Sequence, residues 1–352
     1  MKKILHVISS LEHGGTENYL LNLLKGTKNY KNYVLVYTTE NKLEKQLNDL
    51  NVQVYTMSKN SSNKNRMKKI YEVCKKEKID IVYSYTYYNS IFVQIAAFAA
   101  GVKKRITHSH RTSVDRKISS LKIFICRFLT TIFSTDCLAC SMDAWNSLFV
   151  KVKNPIVVDN AIDIDKYEYN KAKRNKLRRE LNIPDDYKVI GTVGRLDENK
   201  NQKFIIDLFK EYYNKNSKSM LVIIGDGPLM DYLAASSADI KDNVLLLGNK
   251  TNVNDYYNVF DLFMLVSISE GLPYVLIEAQ ANGLTCIVSD AVDKNANLND
   301  KMKFISLNAD NEAWIEAITE NIGLRNKNLQ AIKNKYSLDT MYKVINNIYE
   351  KR

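Results

Sequence analysis

Residues 262–290 read LFMLVSISEGLPYVLIEAQANGLTCIVSD. A strand-like run, LFMLVS, meets the tight group Gly271-Leu272-Pro273, then an apolar helical segment that stops at Gly283, then a second strand, TCIVSD. Strand, helix and strand in this order form a βαβ unit. The unit carries two acids in unlike places. Glu270 ends the first strand beside a glycine that lets backbone approach a ligand. Glu278 falls inside the apolar helix, roughly two turns in if the helix begins at the turn. A carboxylate there is costly unless something bonds it. A sugar diol suits it, because an ionised carboxylate accepts from two hydroxyls. A carboxylate that merely caps local structure is the bland alternative.

The same rhythm runs through the rest of the chain. KKILHVIS, NYVLVYT, VQVYTM, IDIVYSYT, KRITHSH and STDCLACS read as strands, with helical segments between them and one long helical stretch from Val114 to Phe133. Around NPIVVDNAIDIDKY the rhythm breaks, and a charged stretch follows. We place a linker near residues 155–185. The alternation restarts with YKVIGTVGR and continues through SMLVIIGDG, NVLLLGN, LFMLVS and TCIVSD. Short strands separated by helices of 10–15 residues indicate parallel sheets, so the expected fold is α/β with two doubly wound sheets. The 352 residues also favour two domains. In such sheets ligands collect where strands enter helices, at the carboxyl ends.

Composition narrows the function. Hydrophobic residues make up 45% and charged residues 26%, which are globular values. No apolar run reaches spanning length, and MKKILHVISSLEHGG reads as a first strand rather than a signal peptide. Five cysteines, Cys74, Cys126, Cys137, Cys140 and Cys286, are too scattered for a disulfide framework and fit reduced thiols. Cys137 and Cys140 form a C-x-x-C, but a structural zinc site needs two further ligands. The net charge of +12 would attract polyanions, anionic membrane or phosphorylated substrates.

Six strand-to-helix turns hold the chemistry. Gly14 and Gly15 open the first helix and can offer backbone N–H groups to an anion. They are not G-x-G-x-x-G, which argues against a nicotinamide dehydrogenase. His108 and His110 share one face at the end of a strand, and a polar lining role fits them better than metal binding. In GTVGRLDENKNQKF, Gly194 ends a strand while Arg195 and Lys200 frame a helix start, a good arrangement for a diphosphate. An ion pair of Arg195 with Asp197 or Glu198 is the rival. Gly225–Pro228 makes a further tight turn, and LLGNKTNVNDYY exposes backbone after Gly248. The Glu270 turn is the sixth. Asp163-Ile164-Asp165 spells D-x-D on the linker, where helix capping is the preferred reading.

Together these segments resemble a family-4 retaining glycosyltransferase of the GT-B fold, of the bacterial capsule and exopolysaccharide type. The resemblance runs in order from Gly14-Gly15-Thr16-Glu17 through Thr107–His110, Asn160–Asp163, Gly194–Lys200 and Gly225–Pro228 to Glu270–Ser289. It departs where Asn160-Ala161-Ile162-Asp163 replaces the more usual Asn-Gly-Ile-Asp. The implied architecture is two Rossmann-like domains facing a central cleft. An acceptor-binding domain would span residues 1–162, with a C-terminal helix near 338–352 packing back on it, and a nucleotide-sugar domain would span 163–337.

By the same resemblance, Arg195 and Lys200 clamp the pyrophosphate. Glu270 and the amides of Gly271, Leu272 and Pro273 touch the transferred sugar and phosphates, and Glu278 holds the ribose. Gly194 belongs to the donor site, and Asn249 and Lys250 fall near the base. Gly14, Gly15, His108 and His110 serve the acceptor side, Gly15 also belonging to the donor site near the phosphate, with His110 or His108 reaching a sugar or phosphate oxygen. Arg195, Lys200, Glu270 and His110 form the catalytic group. No metal and no cofactor are expected beyond the nucleotide sugar, with UDP favoured by family habit. The product would be a capsular or extracellular polysaccharide, the acceptor a saccharide expected in lipid-linked form, and nucleic acid is not an expected partner. The mixed basic and apolar segment RKISSLKIFICRFLTTIF suits either burial or an anionic membrane surface on the cytoplasmic side. The alternatives are another GT-B nucleotide-sugar enzyme, an epimerase or inverting transferase, and a basic nucleotide- or nucleic-acid-binding protein.

Overall fold

In the computed structural model, residues 1–12, 14–39, 41–111, 120–151, 154–270, 272–298 and 301–351 are described. The chain divides into two compact units, Met1–Ala161 with Leu338–Arg352, and Ile162–Ser337.

The first unit holds seven parallel strands: β1 Lys3–Ile8, β2 Lys31–Val36, β3 Gln53–Thr56, β4 Ile81–Ser84, β5 Lys104–Ser109, β6 Asp136–Ala139 and β7 Ile156–Val157. Their order is β3-β2-β1-β4-β5-β6-β7. The second holds six: β8 Lys188–Val193, β9 Ser219–Ile224, β10 Val244–Leu246, β11 Leu262–Leu265, β12 Cys286–Ser289 and β13 Met302–Ile305, in the order β10-β9-β8-β11-β12-β13. Each sheet starts in the middle, runs to one edge, then returns to the middle and runs to the other. The reversal points lie between β1 and β4 and between β8 and β11. Loops leave those strands in opposite directions there, which opens a crevice.

The second sheet shows why its strands are apolar along their whole length. Val189 and Val193, Met220, Val222 and Ile224, Phe263 and Leu265, and Cys286 and Val288 share one core cluster. The residues between them, Ile190, Leu221, Ile223, Met264 and Ile287, belong to the cluster on the other face. Helices cover both faces, so successive side chains are buried on alternate sides and no polar alternation survives.

The C-terminal helix Leu338–Glu350 packs within the first unit. Tyr342 donates to the Asn22 carbonyl at 2.8 Å, and its ring lies where a Cβ on Gly26 would come within 2.1 Å. Lys2 Nζ donates to the Tyr349 carbonyl at 2.8 Å.

Two sequence expectations change. The charged stretch read as linker contains a helix, Lys171–Glu180, that belongs to the second unit. Arg174 pairs with Asp261 at 2.7 Å, and Arg178, 1% exposed, reaches the same carboxylate at 3.5 Å. The helix carrying Glu278 begins at Tyr274, so Glu278 sits about one turn in rather than two; Pro273 fixes extended backbone ahead of it and delays the start. The long helical stretch is helix from Ser120 to Phe133, and residues 114–119 of it lie outside the described residues. The glycine stop is present, Gly283 having φ +82°.

Candidate active site

At the reversal point of the second sheet, the loops after β8 and β11 are sewn together by Asn199. Its carbonyl accepts from Ile268 N–H at 2.8 Å, its side-chain oxygen accepts from Ser269 N–H at 3.1 Å, and its amide donates to the Ser269 carbonyl at 2.9 Å. The next residue, Lys200, points its ammonium at the Glu270 carboxylate, with both side chains mostly buried. The Lys200 stem runs along Gly194, passing at ordinary van der Waals distance, 3.8 Å, from where a Gly194 Cβ would stand. Asp197 accepts from Lys200 N–H at 3.1 Å and fixes the loop. The helix Gln202–Lys215 then starts after Asn201, which is left-handed at φ 53°.

Arg195 lies on the same loop with its side chain 69% exposed. It sits 3.7 Å from Asp197, so the ion pair raised as a rival exists. An exposed pair of that length is weak, which leaves the guanidinium able to turn to an anionic ligand.

Close backbone contact builds the neighbouring turn. Gly225 has φ +139°, and a Cβ there would stand 1.8 Å from the Gly194 carbonyl oxygen. Its N–H bonds the Gly248 carbonyl at 3.0 Å, and Gly194 N–H bonds the Ile224 carbonyl at 3.0 Å. The carboxyl ends of β8, β9 and β10 are thereby tied into one surface. Asn249 is exposed and Lys250 half-buried just beyond it.

Glu278 is buried. Its two oxygens accept from the hydroxyls of Tyr167 at 3.0 Å and Tyr257 at 2.7 Å. Burial raises its pKa, and the two tyrosine bonds act in the opposite direction. No cation pairs with it among the described residues. Sequence reasoning missed both tyrosines, although an acid inside an apolar helix demands donors. Leu272 packs on the core beside it. Pro273 occupies the position ahead of the helix and, having no N–H, shapes the turn without donating. Gly271 lies outside the described residues.

At the reversal point of the first sheet lies a cavity of about 650 Å³. Its walls come from the loop after β1 with the start of helix Gly15–Gly26, from the loop after β4, and from His110 and Arg111. Gly15, Thr16 and Glu17 line it, with Glu17 accepting from Ser10 at 2.7 Å. Gly14 lies close behind, 2.5 Å separating its would-be Cβ from the Glu17 carboxylate.

His110 reaches the cavity. His108 is fully buried and bonds Tyr83 at 2.8 Å. The rings are 4.0 Å apart. Burial lowers the His110 pKa to about 3, and burial, then the neighbouring His110, lowers that of His108 well below the usual value. Both imidazoles are therefore neutral at physiological pH. His110 Nε2 is buried with no partner among the described residues.

Tyr85, Tyr87, Tyr88 and Asn89 also line the cavity and were not singled out. The run SYTYYNS after a strand was the available signal. Tyr87 holds φ 53°, a left-handed value rare for an aromatic residue. Asp163 stands just ahead of a short helical turn, where its carboxylate pairs with Lys166 at 2.9 Å and caps no backbone. No group of three or more metal-ligating side chains occurs among the described residues.

Residues 173–338 match the family described as "Glycosyl transferases group 1". A relative 30% identical over 267 residues, covering 71% of this chain and 68% of its own length, is the UDP-Gal:alpha-D-GlcNAc-diphosphoundecaprenol alpha-1,3-galactosyltransferase of Escherichia coli. The chain belongs to the group 1 glycosyltransferases and is a glycosyltransferase of GT-B fold. The capsular polysaccharide biosynthesis glycosyltransferase CapH of Staphylococcus aureus is 27% identical over 319 residues, 86% of this chain and 85% of its own. Among solved structures, Anabaena HepE in complex with UDP superposes with a TM-score of 0.84 at 19% identity, over 99% of both chains.

Proposed function

We propose that this glycosyltransferase moves a sugar from a UDP-sugar to a lipid-linked saccharide with retention of anomeric configuration, in the synthesis of a capsular or extracellular polysaccharide. The observation that carries the donor assignment is the Lys200–Glu270 pair, held where the loops after β8 and β11 meet. That is the ligand position of a doubly wound sheet. The E. coli relative, by its name, uses UDP-Gal and a diphosphoundecaprenol-linked sugar, which supports both substrate classes.

In this reading the diphosphate draws Lys200 away from Glu270, and Arg195 swings from Asp197 to join it. Both cations then face the charge that grows on the departing nucleotide. Glu270, released, accepts from hydroxyls of the transferred sugar. Glu278 keeps spare lone pairs beyond its two tyrosine bonds and takes the ribose. Asn249 and Lys250 border the base, and Leu272 and Pro273 shape the floor. The bond from the anomeric carbon to the diphosphate breaks. The acceptor hydroxyl bonds that carbon from the same face, and its proton passes to a phosphate oxygen. The acceptor sugar lies in the cavity of the first unit, where neutral His110 exchanges hydrogen bonds rather than a positive charge. Neutralisation is assigned to side chains, so chelation by EDTA should leave turnover unchanged.

The test is turnover and binding with a panel of UDP- and GDP-sugars, comparing wild type with Arg195→Ala, Lys200→Ala and Glu278→Ala. Lys200→Ala should lower kcat/KM about a hundredfold or more with the fold retained. Full turnover and donor affinity in all three variants would reject the site. Proton NMR of the product's anomeric centre decides between retention and inversion.

A further inference from the structure

Helix Ser120–Phe133 of the first unit is built inside out. Leu121, Phe124, Ile125, Phe128 and Ile132 are each between 41% and 70% exposed, whereas Thr130 and Thr131 of the same helix are fully buried. The exposed positions recur at i, i+3, i+4, i+7 and i+11, which is a single stripe along a helix. A helix docked by its apolar face would turn that stripe inward. Here the inward side is held by polar contacts: Thr131 accepts from Val150 N–H at 3.2 Å, and Arg127 donates to the carbonyls of Asn146 and Phe149, each at 2.7 Å. Phe98 of the adjoining helix Ser90–Ala99 extends the apolar surface, its ring edge-on to Phe133 at 5.6 Å.

Charge selects the occupant. Lys and Arg number 28 against 14 Asp and Glu in the first unit, a net +14, and 23 against 25 in the second, a net −2. Between Phe98 and Phe133 the sequence has eight basic residues and one acidic, Asp115. Lys103 and Lys122 are exposed there. A second copy would press two such units together against their repulsion, whereas a bilayer of anionic lipid attracts them. None of the described helices is long and apolar enough to cross a membrane.

We propose that helix Ser120–Phe133 lies in the plane of an anionic bilayer with its stripe of Leu121, Phe124, Ile125, Phe128 and Ile132 in the acyl boundary. This deepens the lipid-linked acceptor reading and rests on it for its purpose, since the lysines draw the first unit to the surface where such an acceptor would lie.

The test uses the full chain with vesicles of phosphatidylglycerol and phosphatidylcholine, and with phosphatidylcholine alone. Wild type should sediment with the anionic vesicles, and Phe124→Ser/Phe128→Ser should partition about tenfold less or weaker still. Both should bind UDP equally, because Phe124 and Phe128 belong to the first unit and the donor loops to the second. In a Phe128→Trp variant, brominated lipid should quench the indole. Equal sedimentation of wild type and the double variant, or an unquenched indole, overturns the proposal. So does a wild-type dimer that the double variant dissolves, which would make the stripe a self-association surface. If vesicles bind as expected while only lipid-free acceptors are used, the stripe stands and the acceptor assignment falls.

Discussion

Asn199 makes three hydrogen bonds to the loop after β11, and it stands between two residues of unlike fate, Glu198 in solvent and Lys200 on Glu270. An Asn199→Ala change should loosen both loops. We expect a rise in the KM for donor larger than the fall in kcat, read by steady-state kinetics, because the groups survive and only their placement degrades. Gly225→Ala is harsher. The methyl would stand 1.8 Å from the Gly194 oxygen at a φ of +139°, so the turn must rebuild, and donor affinity measured by calorimetry should be lost. For Glu278→Ala, removal of the carboxylate takes the acceptor from the Tyr167 hydroxyl and leaves the Tyr257 hydroxyl only its longer bond to the Val275 carbonyl at 3.4 Å, with a loss of about 1–3 kcal/mol in urea unfolding. Glu278→Gln should recover much of that stability without recovering activity. The sequence marked Glu278 as an acid in need of a partner. The identity of those partners was not legible, because Tyr167 and Tyr257 lie 111 and 21 positions away.

At the scale of elements, strands were easier to read than the segment joining the two halves. Parallel strands covered on both faces announce themselves as apolar runs. The helix Lys171–Glu180 announces little, because Leu177 is its one side chain in the apolar core and much of its hold on the second unit passes through Arg174 and Arg178 to Asp261. Asp261 also accepts from Val189 N–H at 2.9 Å, at the start of β8. Asp261→Ala would strand buried Arg178 without its counter-charge and remove a strand cap. Destabilisation of about 3–5 kcal/mol is expected, measured by urea unfolding, whereas a loss under 1 kcal/mol would mean that helix and strand are held by other contacts.

Across the described residues, His6 and His108 are buried and His110 is half-buried, and all three are neutral. Burial takes His6 from 6.5 to about 4 and His110 from 6.5 to about 3, and holds His108 lower than the ordinary value. The unfolded chain thus binds more protons than the folded one below about 6.5, so stability falls as pH drops from there towards 4, by up to about 1.4 kcal/mol per pH unit for each histidine. Urea unfolding at pH 7.5, 6 and 5 should show this loss beginning well above the range in which carboxylates titrate. A flat profile over that interval would contradict neutral burial. The sequence by itself determined the alternation of strands and helices, the two-part division of the chain, and the turns on which Lys200, Glu270 and His110 stand, because burial pattern and glycine chemistry act over a few residues. Only the tertiary structure decided which turns meet. The pairing of Lys200 with Glu270, the tyrosines on Glu278, the cavity beneath Tyr87 and the outward face of helix Ser120–Phe133 all depend on strand order, and that order joins residues whose separation along the chain carries no local signal.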